Sequence, residues 1–135
     1  MLKPDFTKYS LALVQNNKII FTSSGAGLRS LLECVKTFKG KRKNCILHDK
    51  VVGLAAARII VYSEIISGVE TKLASEPAVR FLGENNLKIN ADKIVKNILT
   101  NDRLSVCPME QRALKAVDNK EFFVDLEKLI LKKNY

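Results

Sequence analysis

Tyr9-Ser10-Leu11-Ala12-Leu13-Val14, then Asn16-Asn17, then Lys18-Ile19-Ile20-Phe21-Thr22: two β-rich runs flank a pair of asparagines. Asparagine tolerates positive φ, so the stretch reads as a β-hairpin. After Ser23-Ser24-Gly25-Ala26-Gly27 comes a helical pattern. It places Leu28, Leu31, Leu32 and Val35 on one face and Arg29, Glu33 and Lys36 away from it. Lys39-Gly40-Lys41-Arg42-Lys43 then leads to a short apolar strand, Cys45-Ile46-Leu47-His48.

Further along, Asp49 reads as the N-cap of a helix from Lys50 to about Tyr62. Nearly every position there is apolar or alanine, so that helix is covered on most sides. Ile65 to Val69 is a strand. Ser75-Glu76-Pro77 caps a third helix carrying Ala78, Phe81 and Leu82, since proline is tolerated in a first turn. Leu87-Lys88-Ile89 is a last short strand, and Asp92-Lys93 opens a helix carrying Ile94, Val95 and Ile98. An irregular link, Thr100-Asn101-Asp102-Arg103, precedes a helix starting at Cys107-Pro108-Met109-Glu110. Phe122, Leu126, Leu129 and Ile130 line a terminal helix over about 120–133.

The order is therefore β-β-α-β-α-β-α-β followed by extra C-terminal helices. Strands alternating with helices need crossover connections, which makes an α/β fold with a mixed sheet, sandwiched by helices and edged by the N-terminal hairpin. The 135 residues suit a single domain, 1–135, with a core of about 9–117.

Composition narrows the class. Hydrophobic residues make up 47% and charged residues 27%, a globular balance rather than a disordered one. The longest apolar stretch, Val51 to Tyr62, is interrupted by Arg58 and is too short to span a bilayer. No hydrophobic leader follows Met1, so a cytoplasmic location is expected. Cys34, Cys45 and Cys107 are an odd set without paired spacing. They are expected to be free thiols, with no metal site and no cofactor, and Cys34 and Cys45 in the core. His48, the one histidine, is expected as a hydrogen-bonded strand-end residue. A formal charge of +9 fits an anionic partner, although lysines that merely solubilise the surface would give the same number.

In open α/β sheets ligands gather where strands lead into helices. That rule selects three junctions. At Ser24, Gly25 and Gly27, glycines permit a tight turn and amides at a helix start can hold an anion, although the phosphate-loop lysine is missing. At Asp49, Lys50 and Gly53, a lysine in a first helical turn opposes the helix dipole, and residues that break a local rule are candidates for function. At the third, Pro108 suits the first helical position, which puts Cys107 at the N-cap and Glu110 three residues on. That spacing resembles a capping box, and a thiol so placed can gain thiolate character. Each junction has a plainer alternative: an ordinary turn, a capped buried helix, and a small residue that fits a helix start.

The early hairpin, the glycine-rich turn, Asp49-Lys50-Val51-Val52-Gly53 followed by Ala55-Ala56-Ala57, and the late Cys107-Pro108-Met109-Glu110 together resemble a small prokaryotic family of uncharacterised proteins. That family is catalogued as a domain of unknown function with a cytidine-deaminase-like fold. The resemblance covers about Tyr9 to Val117. It implies a three-layer α/β/α sandwich and three junctions that share one cleft. It does not carry over the deaminase zinc site, because neither Gly25-Ala26-Gly27 nor Asp49 to Gly53 offers the ligands and glutamate at the deaminase spacing.

Three function classes follow. The first is a cleft for a small anionic or nucleotide-like ligand, with Ser24, Gly25, Gly27, Asp49, Lys50 and Gly53 binding. Lys50, Cys107 and Glu110 are then the candidate catalytic groups, without zinc-dependent deamination. The second is a basic module for RNA or an acidic protein, recognisable by its salt dependence. The third is a structural subunit, such as a homodimer.

Overall fold

A computed structural model of the chain describes residues 2–25, 27–99 and 107–131. The hairpin forms as the asparagines require. β1 (Leu11–Gln15) and β2 (Lys18–Ser23) pair antiparallel, and Asn16 and Asn17 between them have φ of 53° and 61°. α1 (Arg29–Phe38) buries Leu31, Leu32, Cys34 and Val35. β3 (Cys45–Asp49) pairs antiparallel with β1 and parallel with β5 (Ile66–Ser75). β4 (Val51–Val52) continues along the same edge of β5, and β6 (Lys88–Val95) lies parallel on its other edge. The result is a six-stranded mixed sheet and a mixed α/β fold.

Two helix starts expected from sequence belong to strands instead. Asp49 is not an N-cap; it ends β3. Val51 and Val52 stay extended because they pair with Leu73 and Ala74, and α2 (Leu54–Ser63) begins only after Gly53, its N-cap. The expected helix at Asp92 is also absent. Ladder pairs from Gly68↔Lys88 to Ser75↔Val95 hold 88–95 as strand β6, so sheet pairing overrides a local start signal. The expected link at 100–103 lies outside the described residues.

α3 (Glu76–Glu84) starts as expected, with the Ser75 hydroxyl accepting from Ala78 N–H at 3.2 Å. α4 (Pro108–Lys115) and α5 (Asn119–Leu126) follow, and the chain continues as a π-helical turn, Glu127–Leu131, within the expected terminal helix.

α2 is the centre of the fold. It packs on β4 and β5 and against α1, α3, α4 and α5. With Leu54, Ala55, Ala56, Ala57, Ile59 and Ile60 buried, it is covered on most of its circumference. Leu11, Leu13, Leu47 and Val69 from the sheet join Leu31, Leu32, Val35, Leu82 and Leu126 in one core. His48 points away from that core, like its cross-strand neighbour Ala12, and its Nδ1 lies 3.0 Å from the Tyr9 hydroxyl. At that point residues before β1, rather than a helix, meet the sheet. Arg58 ties the C-terminal helices down, donating from Nε to Ala113 O and from Nη1 to Asn119 Oδ1, both at 2.8 Å.

Candidate functional site

The three junctions, scattered over some 85 positions of sequence, line one cavity of about 570 Å³. All eight candidate residues are on its wall: Ser24, Gly25, Gly27, Asp49, Lys50, Gly53, Cys107 and Glu110. The rest of the lining is mainly apolar, from Leu11, Leu28, Val51, Met109 and Ile130 among others.

The first wall is the turn into α1. Ser10 Oγ lies 3.0 and 2.6 Å from the Ser23 and Gly25 carbonyls, and the Ser23 and Ser30 hydroxyls are 2.7 Å apart. Gly25 leaves room for that hydroxyl pair, since a Cβ there would meet Ser30 Oγ at 2.8 Å. Gly27 takes the left-handed φ of +65° that glycine favours. The helix N-cap is Leu28, whose side chain makes no capping bond, so among the described residues the first amides of α1 have no side-chain acceptor. Ser10 and Ser30 had no sequence signal as cavity residues; a serine at a strand start is common in any fold.

The second wall is the corner after β3. The Lys50 backbone donates to Ser10 O at 3.0 Å, and the residue is exposed. Burial pushes the Asp49 carboxyl up to about 8, against hydrogen bonds from the Val51 and Lys50 N–H groups that act to lower it. Near neutral pH this carboxyl is mostly protonated and can donate a hydrogen bond.

The third wall is the start of α4. Cys107 is its N-cap as expected, but its side chain makes no capping bond, and its N–H is held by Ile98 O at 3.0 Å. Glu110 is not the reciprocal partner of a capping box. Its buried carboxyl reaches across to α2 and accepts from Leu54 N–H at 2.6 Å and Ala55 N–H at 3.0 Å. Burial raises its pKa, and the two amide bonds partly oppose the rise. Gly53 makes this approach possible. A Cβ on Gly53 would lie 2.5 Å from Glu110 Oε1. The absence of a side chain at Gly53 thus admits Glu110 to the start of α2.

One consequence is chemical. The amides opening α2 are already occupied by the Glu110 carboxyl, whereas among the described residues no side chain accepts from those opening α1. Among the described residues, no three His, Cys, Asp or Glu side chains gather as they would to hold a metal ion. His48 lies outside the cavity lining, buried beside Tyr9.

The model of a family described as TM1506, a domain of unknown function (DUF1893), matches residues 4–130. The chain belongs to this family. Among solved structures, it is similar to a DUF1893 family protein (TM1506) from Thermotoga maritima, with 25% sequence identity and a TM-score of 0.82. The match covers 93% of this chain and 83% of that one. No curated protein matches the chain. The DUF1893 fold therefore extends over nearly the whole of it. Among the described residues, no helix is long and apolar enough to cross a membrane.

Proposed function

We propose that this DUF1893 chain binds a small anionic or nucleotide-like ligand in the cavity between the three junctions. The observation that carries the reading is the convergence itself. Three polar turns far apart in sequence meet at one concave, largely apolar space of about 570 Å³, within the range of small-molecule sites. Apolar walls suit a planar or aliphatic body. The uncapped α1 amides and the Lys50 ammonium suit a negative group, and the protonated Asp49 carboxyl suits a hydrogen-bond acceptor on the ligand.

The strand arrangement, with an antiparallel hairpin beside parallel β3, β5 and β6, supports reading the fold as cytidine-deaminase-like. The side chains do not support a zinc centre of that kind, since the deaminase ligand positions carry glycines and Asp49 to Gly53. Cys107, Lys50 and Glu110 are the groups available for chemistry on a bound molecule. Of these, Glu110 is bound to α2, which leaves Cys107 and Lys50 on the cavity lining as the groups available to a ligand.

A thermal-shift screen with nucleoside monophosphates and phosphorylated or carboxylated metabolites tests the reading. At least one should raise the melting temperature saturably in the native chain, and Lys50→Ala should abolish most of that shift. A screen in which no such compound stabilises the protein, or in which Lys50→Ala responds like the native chain, would refute it.

A further inference from the structure

At the other end of the fold, α1 and β3 are joined by Lys39-Gly40-Lys41-Arg42-Lys43-Asn44. α1 and α2 have ten residues each, so at the usual rise per residue this loop lies about 15 Å from the helix starts around the cavity. A loop so basic is ordinarily a solvated connection whose cations spread apart. This one is pinned. Gly40 and Asn44 bend it through left-handed φ values of 80° and 56°, and Lys41 N–H donates to Phe38 O at 2.8 Å. Gln15, at the end of β1, braces it twice. Its Nε2 donates to Lys43 O at 2.8 Å, and its Oε1 accepts from Arg42 Nη1 at 2.9 Å. Lys39 Nζ donates to Tyr62 O at 2.9 Å and sits 4.5 Å above the Tyr62 ring centroid.

These contacts frame a shallow hollow of about 790 Å³ rimmed by Lys39, Lys41, Arg42 and Lys43. Lys18 stands directly across from Gln15 on β2. Among the described residues one carboxylate approaches: Glu64, itself 82% exposed, lies 3.9 Å from Lys39 Nζ. Among the described residues, Lys41, Arg42 and Lys43 have no carboxylate in ion-pair contact.

We propose that this braced, un-neutralised loop binds the phosphate backbone of a nucleic-acid duplex without reading its sequence. Cations carried on a braced backbone lose less freedom on binding, and each phosphate they meet releases counterions. An acidic protein fits less well, because protein interfaces centre on apolar or aromatic anchors. The large apolar residue lining the hollow, Ile65, is 2% exposed. Base stacking is also unsupported. The Tyr62 ring has Lys39 over it and stacks on Phe123 at 4.7 Å between centroids.

Fluorescence anisotropy with a short labelled RNA duplex of mixed sequence, titrated across salt, tests the proposal. The native chain should bind, with affinity falling steeply as salt rises. The triple variant K41E/R42E/K43E should lose at least about tenfold in affinity, and its log–log salt slope should be shallower by about 3, near one unit for each phosphate contact. Gln15→Ala removes no charge and should weaken binding several-fold by releasing Arg42. The pair K41Q/K43Q removes two positive charges without adding negative ones, a milder surface change, with an intermediate loss expected. Lys50→Ala, in the other site, should bind the duplex like the native chain. No binding at low salt, or unchanged binding by the triple variant, would overturn the proposal. So would displacement of the duplex by poly-glutamate as effectively as by unlabelled duplex, or binding to anionic lipid vesicles with none to the duplex.

Discussion

The Glu110 carboxyl occupies the space a side chain on Gly53 would need: an ideal Cβ there would fall 2.5 Å from Oε1. Through this contact α4 caps α2 from 56 positions away in sequence, and both helices are held as walls of one cavity.

Gly53→Ala should therefore displace Glu110 and leave the first amides of α2 and a buried carboxylate unpaired. A cost of about 1–3 kcal/mol is expected in urea unfolding, as for other buried groups left without partners. Glu110→Ala should cost about as much by removing the cap. In the double variant the two losses should not add, because the alanine at 53 then no longer meets the Glu110 carboxyl. Full additivity would mean that the contact is not made.

Asp49 gives a pH signature. Its carboxyl titrates near 8 when folded, against 3.8 as its ordinary value. Between those limits the folded chain holds a proton the unfolded chain has released. Its contribution to stability is therefore complete below about pH 4 and is lost as pH rises through about 8. Asp49→Asn should flatten that slope and be relatively more stable at pH 8. Carbon-detected NMR of the Asp49 carboxyl reads the same group directly, and a titration near pH 4 would contradict the burial argument.

His48 works in the opposite sense. It is fully buried, and burial lowers its pKa below the ordinary 6.5, with Glu70 opposing the shift. The unfolded chain is protonated first, so stability should fall as pH drops below about 6.5 and level off below the folded pKa. Tyr9→Phe removes the hydroxyl that meets both Asp5 N–H, at 3.1 Å, and His48 Nδ1, at 3.0 Å. It should cost about 1–3 kcal/mol because two buried or half-buried groups lose a partner. Equal stability of the native and Tyr9→Phe chains at pH 7 would show that water replaces the hydroxyl.

Arg58 is the strut between α2 and the C-terminal helices. Arg58→Lys keeps the charge but cannot reproduce the forked contacts to Ala113 O and Asn119 Oδ1. Amide exchange in α4 and α5 should speed up in that variant while β1 and β3 keep their protection. Uniform acceleration across the chain would point to global destabilisation instead.

Much of this fold is legible in the sequence because the deciding signals are local. Asn16-Asn17 dictates the hairpin, the leucine stripe dictates α1, and Ser75 with Pro77 dictates the start of α3. Failures come where a long-range ladder outranks a local cue. Asp49 and Asp92 both look like helix caps, yet pairing with β5 keeps Val51–Val52 and 88–95 extended. The place of the cavity was readable from strand-to-helix junctions, but not the roles of its residues. Glu110 has the spacing of a local cap and serves a distant helix, and no spacing rule reports a contact across 56 positions.

The most direct test of the cavity as a ligand site is amide chemical-shift mapping during titration with the compound that stabilises the protein best. The account predicts saturable shifts concentrated at Gly25, Gly27, Lys50 and Cys107, with affinity at least about tenfold weaker in Lys50→Ala, the loss expected of one charged hydrogen bond. Shifts that never saturate, or that map to Lys39–Lys43 and leave those four amides unmoved, would contradict it.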